Sequence, residues 1–232
     1  MSQYKEQQGF VTFAQNTDEV NYLELAYLQA LNIKATQKNN HCAVIVDART
    51  KELINETHLS VFDYIIDLPY DYNDPTGLRK FANEWQVFYL TPFKETIKLE
   101  SDLLFTRSID HWWTAFRLKN ICLSTGAKNC LGLNATIRRY RELFDANNLP
   151  DVYNGLMYFR YTAEAKMFFE SARYIQDNWG NVVRANLKNC VEDQPSTDVL
   201  YALAAVMVGE ETCTMPSMDF INFVHMKSGI QG

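Results

Sequence analysis

Glu100-Ser101-Asp102 sets two carboxylates two residues apart, directly after an apolar run. Residues 85–90 and 97–99 read as extended segments, which puts the acid pair where a strand ends. Along a strand, positions i and i+2 share a face. Both carboxylates can therefore grip one hard cation, and Mg2+ or Mn2+ takes such oxygen ligands and commonly bridges to a phosphate. A solvated strand end is the other reading of the same pair.

The elements that would position this pair follow an alternating order. Residues 9–15 form an apolar first strand. Asn16 or Thr17 can cap the following helix, with Asp18 and Glu19 in its first turn, where carboxylates suit the helix dipole. Leu23, Ala26, Tyr27, Ala30 and Leu31 recur at helical spacing and carry that helix to about Ile33. Residues 41–47 and 62–67 are short apolar runs, each ending in Asp. This is the rhythm of an α/β sheet, whose ligands gather at the carboxyl ends of the strands. No Gly-x-Gly-x-x-Gly and no P-loop follows the first strand, which removes the support for dinucleotide and P-loop readings.

Residues 119–123 read as a further strand, and Asn134 can cap a helix with Ile137, Tyr140 and Phe144 on its apolar side. Residues 152–159 read as a strand interrupted by Asn154-Gly155. A long helix with Ala165, Phe168, Phe169, Ala172, Ile175 and Trp179 at core spacing follows. Residues 199–208 are almost wholly apolar, a buried helix with Gly209 as its stop.

Composition bounds the rest. A chain of 232 residues with 47% hydrophobic and 13% aromatic residues can build a substantial core. No apolar run approaches the roughly 20 residues that cross a bilayer, and the first residues lack the blocks of a signal peptide. Five scattered cysteines without a Cys-x-x-Cys pair suggest reduced thiols, so a cytoplasmic protein is expected. The formal charge of −6 argues against a protein that coats nucleic acid non-specifically. His41, His58 and His111 have no neighbour at metal-ligand spacing.

Four features, in this order, resemble the GT-A glycosyltransferases, whose Rossmann-like fold uses a nucleotide sugar and a divalent metal. Glu100-Ser101-Asp102 is similar to their DxD motif, with Glu in the first place. Asn154-Gly155 is similar to the small-residue loop that borders the donor sugar. Val191-Glu192-Asp193 is similar to the xED motif, and His225 stands where many members place a further metal ligand. Residues 91–102 most resemble glycosyltransferases encoded by tailed phages.

The resemblance implies an α/β fold: one GT-A (Rossmann-like) domain over residues 1–232, a mixed sheet flanked by helices. It implies Mn2+ or Mg2+ held by Asp102, Glu100 and His225, and a nucleotide-sugar donor, with a UDP-sugar favoured. Lys98 or Lys227 would add positive charge near the phosphates, an exposed lysine being the other reading of each. Asn154 and Gly155 would border the donor, while Gln15, Tyr22 and Asp47 would reach its nucleobase or ribose. Asp193 is the expected base of an inverting transfer, with Glu192 in reserve, although a helix cap is the competing role for Asp193. Asp193-Gln194 also resembles an Asp-Gln motif of retaining members.

Phage-like relatives imply a hydroxymethylated pyrimidine in DNA as acceptor, met by Arg138, Arg139, Arg141 and Lys128; a solvated helix face is the other reading of those arginines. The host cytoplasm is then the expected location. Small-molecule, glycan and protein acceptors stay open. A non-catalytic binding protein of GT-A shape is the alternative function. A nucleotidyltransferase is disfavoured by the missing glycine-rich loop.

Overall fold

The computed structural model describes residues 6–72, 80–126, 128–129, 131–132, 138–215, 221 and 224–225, with the backbone alone described at 80, 81, 138–141, 182, 183 and 225. The first half runs β1 (Glu6–Ala14), α1 (Tyr22–Thr36), β2 (Cys42–Val46), α2 (Ala48–Lys51), α3 (Glu56–Leu59) and β3 (Tyr64–Asp67). A 3-10 segment, Lys80–Gln86, leads into α4 (Val87–Leu90) and then β4 (Phe93–Leu99), α5 (Trp112–Phe116), β5 (Ile121–Thr125) and β6 (Lys128–Asn129). The second half holds α6 (Arg138–Asn147), β7 (Val152–Arg160), α7 (Ala163–Asn178), α8 (Thr197–Val208), α9 (Glu210–Cys213) and β8 (Val224–His225).

Six strands form one mixed sheet in the order β3-β2-β1-β4-β7-β5. β1 pairs in parallel with β2 and β4, and β2 with β3, whereas β7 runs antiparallel to both β4 and β5. Both faces of the central strands are covered, so these strands are buried at nearly every position instead of alternating, and they carry buried polar residues such as Thr12, Thr96 and Lys98. Val11, Phe13, Ala43, Ile45, Met157 and Phe159 pack with residues of α7 and α8 in one core cluster. Their strand neighbours Phe10, Ala14, Val44, Val46, Leu156 and Tyr158 pack with residues of α1 and α5 in the other. The expected flanked mixed sheet is the fold observed.

Local expectations need four corrections. Residues 85–90 are helical: Trp85, Val87 and Phe88 are all buried there, a pattern that a short apolar run shares between strand and helix. Residues 152–160 form one uninterrupted strand through Asn154-Gly155, and the irregularity falls in its pairing with β5, whose register shifts at Leu123/Ser124. Asn21, not Asn16 or Thr17, caps α1 by accepting from the Glu24 N–H at 3.1 Å. Asn16 supports that turn from outside, accepting from the Leu23 N–H at 2.8 Å, and Asp18 pairs instead with exposed Arg49. Finally, β4 stops at Leu99, so Glu100 and Asp102 lie in a turn beyond it, closed by Leu103 N–H donating to the Glu100 carbonyl at 3.3 Å. Strand alternation therefore does not set the mutual direction of the two acids; the turn does.

Gly209, at φ 95°, takes the left-handed backbone that ends α8 where the sequence expects a stop. Asn134, Ile137 and Cys130 lie outside the described residues. No described helix is long and apolar enough to cross a membrane.

Candidate active site

The antiparallel sense of β7 is what assembles the site. Leu99, the last residue of β4, pairs with Leu156, so the beginning of β7 arrives at the edge where the parallel strands end. The Glu100 N–H continues the ladder by donating to the Gly155 carbonyl at 2.9 Å. The acid turn and Gly155, 55 residues from Glu100 in the chain, thus lie side by side. Gln15 and Asp47 follow the last residues of β1 and β2 at the same edge.

The turn is held from the opposite side by a ladder of polar side chains on α1. Gln29 Nε2 donates to the carbonyls of Glu100 at 2.5 Å and Leu103 at 3.1 Å. Asn32 both donates to the Phe105 carbonyl at 3.0 Å and accepts from its N–H at 2.7 Å. Gln37 does the same across Arg107 and Ile109, at 3.2 and 2.7 Å. Thr12 of β1 donates to the Leu99 carbonyl at 3.0 Å. Backbone groups of Glu100, Leu103, Phe105, Arg107 and Ile109, in a stretch without regular structure, are in this way given partners, which buried polar groups require.

Beneath the turn lies a buried polar knot. Lys98 is 1% exposed, its ammonium bonded to the Glu84 carboxylate and, at 3.0 Å, to Asn154 Oδ1. Asn154 Nδ2 returns a hydrogen bond to the same Glu84 oxygen at 2.6 Å. Burial is the largest influence on the Glu84 carboxyl and holds its pKa above the ordinary value, against the lowering pull of Lys98. Two expectations change here. Lys98 is neither an exposed lysine nor a cation presented to a ligand, because its charge is spent on a buried carboxylate. Asn154, 3% exposed with both ends of its amide engaged, braces the strand instead of facing a donor.

The Asn154 backbone N–H donates to Asp198 Oδ1 at 2.6 Å. Asp198 stands in the first turn of α8, capped by Ser196, so this helix delivers a carboxylate to the strand that carries Gly155. The Tyr153 hydroxyl lies 3.1 Å from Glu100 Oε2. Burial first, then the charges of Glu100, Asp198 and Asp102, push the Tyr153 phenol well above its ordinary pKa. Glu100, in contact with the hydroxyl, and the charges of Asp198 and Asp102 make this end of the sheet negative.

Among the described residues no group of three or more His, Cys, Asp or Glu is disposed to hold a metal by itself. Glu100 is half-buried and Asp102 exposed. The His225 side chain and Lys227 lie outside the described residues, as do the side chains of Arg138, Arg139 and Arg141. Lys128, on β6, is exposed.

The remaining candidates divide. Gln15 is buried, and its Nε2 has no hydrogen-bond partner among the described residues, although its Oε1 accepts from Asn83 at 3.4 Å. Asp47 caps α2, accepting from Thr50 N–H at 2.7 Å. Tyr22 opens α1, half-buried against the second core cluster. Asp193 is 93% exposed and pairs with Arg184 at 2.5 Å, and the cap of α8 is Ser196, so the helix-cap reading of Asp193 fails. Glu192 turns back on its own segment, accepting from Val191 N–H at 3.1 Å.

Sequence reading passed over Glu84, Tyr153 and Asp198. Ser196-Thr197-Asp198 after Pro195 carries a helix-start signal that could have placed Asp198 in a first turn. Glu84 carried no local signal, since its partner lies 14 residues away across the fold.

No family model and no curated protein matches the sequence. Solved structures do resemble it. The glycosyltransferase GlyE of Streptococcus pneumoniae TIGR4 superposes with a TM-score of 0.53 at 10% identity, covering 91% of this chain and 46% of that one. Mouse xyloside xylosyltransferase 1, in its apo form, gives 0.53 at 9% identity, with coverages of 90% and 84%. The galactosyltransferase LgtC, solved in complex with donor and acceptor sugar analogs, gives 0.52 at 11%, with 89% and 72%. This chain thus spans less than half the length of GlyE. At such identities the shared property is the fold, which is that of the GT-A glycosyltransferases.

Proposed function

We propose that this chain is a metal-dependent glycosyltransferase that moves a sugar from a nucleoside-diphosphate donor, a UDP-sugar by preference, to an acceptor hydroxyl. The observation that carries the reading is the acid turn Glu100–Leu103 lying against the Tyr153–Gly155 end of β7 at the carboxyl edge of the sheet. That edge is where open α/β sheets bind ligands.

Glu100 and Asp102 would hold Mn2+ or Mg2+, with His225 as the further ligand implied by the resemblance. When bound, such a cation stabilises the negative charge that grows on the leaving diphosphate. Gln15 offers an amide donor at the end of β1, suited to a nucleobase carbonyl. In an inverting transfer one carboxylate oxygen takes the proton of the attacking hydroxyl. Asp193 is the candidate from the resemblance; Asp198, bonded into β7, is the candidate from position. Gln194, beside Asp193, is the residue that the Asp-Gln resemblance would bring into a retaining transfer.

The test is thermal shift and donor hydrolysis with UDP, GDP and their sugars, with and without Mn2+. Stabilisation by a metal-nucleotide pair, followed by hydrolysis or transfer, is expected. Binding without any turnover on a panel of sugars, glycans and hydroxymethylated DNA would favour a non-catalytic binder of GT-A shape. Activity undiminished by excess chelator would overturn the metal-dependent reading. Labelled sugar appearing on hydroxymethylated DNA, and not on sugars or glycans, would identify DNA as the acceptor and bring Arg138, Arg139 and Arg141 into the site.

A further inference from the structure

We infer that Tyr153 is a positioning residue that holds the Glu100 carboxylate in place, and that position 155 is glycine because the Tyr153 ring lies across it. The inference rests on the reading of Glu100 as a metal ligand. Three observations carry it. A Cβ built at Gly155 would sit 2.2 Å from Tyr153 Cε1 and 3.0 Å from Cδ1 and Cζ, so no other residue leaves the ring where it is. From that seat the hydroxyl reaches 3.1 Å from Glu100 Oε2. The Gly155 carbonyl meanwhile takes the Glu100 N–H at 2.9 Å, and Gln29 takes the Glu100 carbonyl.

Two residues of β7, two positions apart, therefore grip Glu100 at both its backbone and its carboxylate. The extra methylene of Glu relative to Asp adds a rotatable bond to this ligand, and a hydrogen bond at the carboxylate removes the freedom it brings. Outer partners of this kind orient metal ligands and set their affinity.

Tyr153→Phe keeps the ring on Gly155 and deletes only the hydroxyl. Mn2+ binding in the presence of UDP, read on the full chain from the electron paramagnetic resonance of free Mn2+, should weaken by roughly tenfold, the lower end of outer-partner effects. Transfer or donor hydrolysis should recover towards the unmutated rate at saturating Mn2+, with the melting temperature nearly unchanged. Unmutated protein that binds Mn2+ with UDP beside a Tyr153→Phe variant of equal affinity would overturn the inference alone. Unmutated protein that binds no Mn2+ would overturn the metal-dependent reading and this inference with it. The glycine is tested separately: Gly155→Ala should lower the melting temperature when Tyr153 is present and much less in a Tyr153→Ala background. Equal losses in both backgrounds would remove the ring as the reason for the glycine.

Discussion

At the residue scale, the two acids of the turn and the two acids around the start of α8 make separable demands. Asp102→Asn removes a charged oxygen while nearly keeping its shape, so metal-nucleotide affinity and turnover should fall by at least about 100-fold with the fold intact. Isothermal titration of Mn2+ with UDP measures this, and unchanged affinity would exclude Asp102 as a ligand. Asp198→Asn and Asp193→Asn distinguish the candidate bases. A base lost from its position should cost about 100-fold or more in transfer while donor binding persists. If Asp193 acts, that pattern appears at 193; if it appears at 198, the exposed Arg184 pair is the whole role of Asp193.

Lys98 makes the sharpest contrast with its sequence reading. A lysine two residues before an acid motif gives no sign of a partner in a 3-10 segment 14 residues upstream. Removing one member of a buried pair strands the other charge, at a cost of about 3–5 kcal/mol. Lys98→Met should therefore lower the urea-unfolding free energy by about that amount at neutral pH, and Lys98→Met with Glu84→Gln should recover part of it. The sign of the pH dependence follows from burial. It holds the Glu84 carboxyl above its ordinary pKa. In the Lys98→Met variant only the Asn154 hydrogen bond still opposes that rise, so the folded state shifts towards the protonated acid. The deficit is then greatest at neutral pH and shrinks as pH falls through the raised folded value towards the unfolded one. A deficit independent of pH would show that the lost packing, not the stranded charge, is responsible.

At the scale of elements, α1 is more than a cover for the sheet. Its buried side holds Leu23, Ala26, Ala30 and Ile33; of the stripe read from the sequence, Leu23, Ala26 and Ala30 lie there, whereas Leu31 is exposed. It did not show the tasks of Gln29, Asn32 and Gln37, because the backbone groups they satisfy belong to a loop some 70 residues later. Polar residues on a helix read as solvated until the loop is in view. Asn32→Ala deletes a donor and an acceptor that Phe105 uses together, leaving two backbone groups in search of water, at about 1–3 kcal/mol. Hydrogen exchange should show faster amides at 105 and 103 with β4 still protected. Metal affinity should fall less than for Tyr153→Phe, because the Gln29 bonds to Glu100 and Leu103 remain. Uniformly faster exchange across the sheet would mean that the ladder supports the whole fold and not the turn.

The strands were legible for a related reason. β1 and β2 are buried on both faces, so their apolar runs stand out; the α/β sheet followed from the alternating rhythm, and its mixed sense from the resemblance. Residues 85–90 misled because a six-residue apolar run has no length with which to declare a period. The acid turn was found by its residue types, but its direction depended on where β4 stops. That end is set by Thr12 and the Gly155 ladder bond, partners distant in sequence.

At the scale of the whole molecule, the cysteines that carry no chemistry in this reading still leave a signature. Cys42 and Cys122 are buried in the cluster beneath α1, and burial is the largest influence raising each thiol to about 12; Cys213 rises to about 11. The unfolded chain ionises its thiols near 9.0, the value from which these shifts start. Between about pH 9 and these folded values the unfolded state has released protons that the folded state retains, so stability falls as pH rises. The contribution is fully present below pH 9 and is lost progressively towards pH 12, at about 1.4 kcal/mol per thiol per pH unit. Denaturation in a reducing buffer from pH 8 to 11 should therefore show a declining unfolding free energy. Cys122→Ala, which removes one such thiol at the cost of a small packing defect, should make that decline shallower by about the same 1.4 kcal/mol per unit. A slope identical to that of the unmutated protein would mean that the thiol ionises in the folded state, and that the core around Cys122 opens to water well below the global transition.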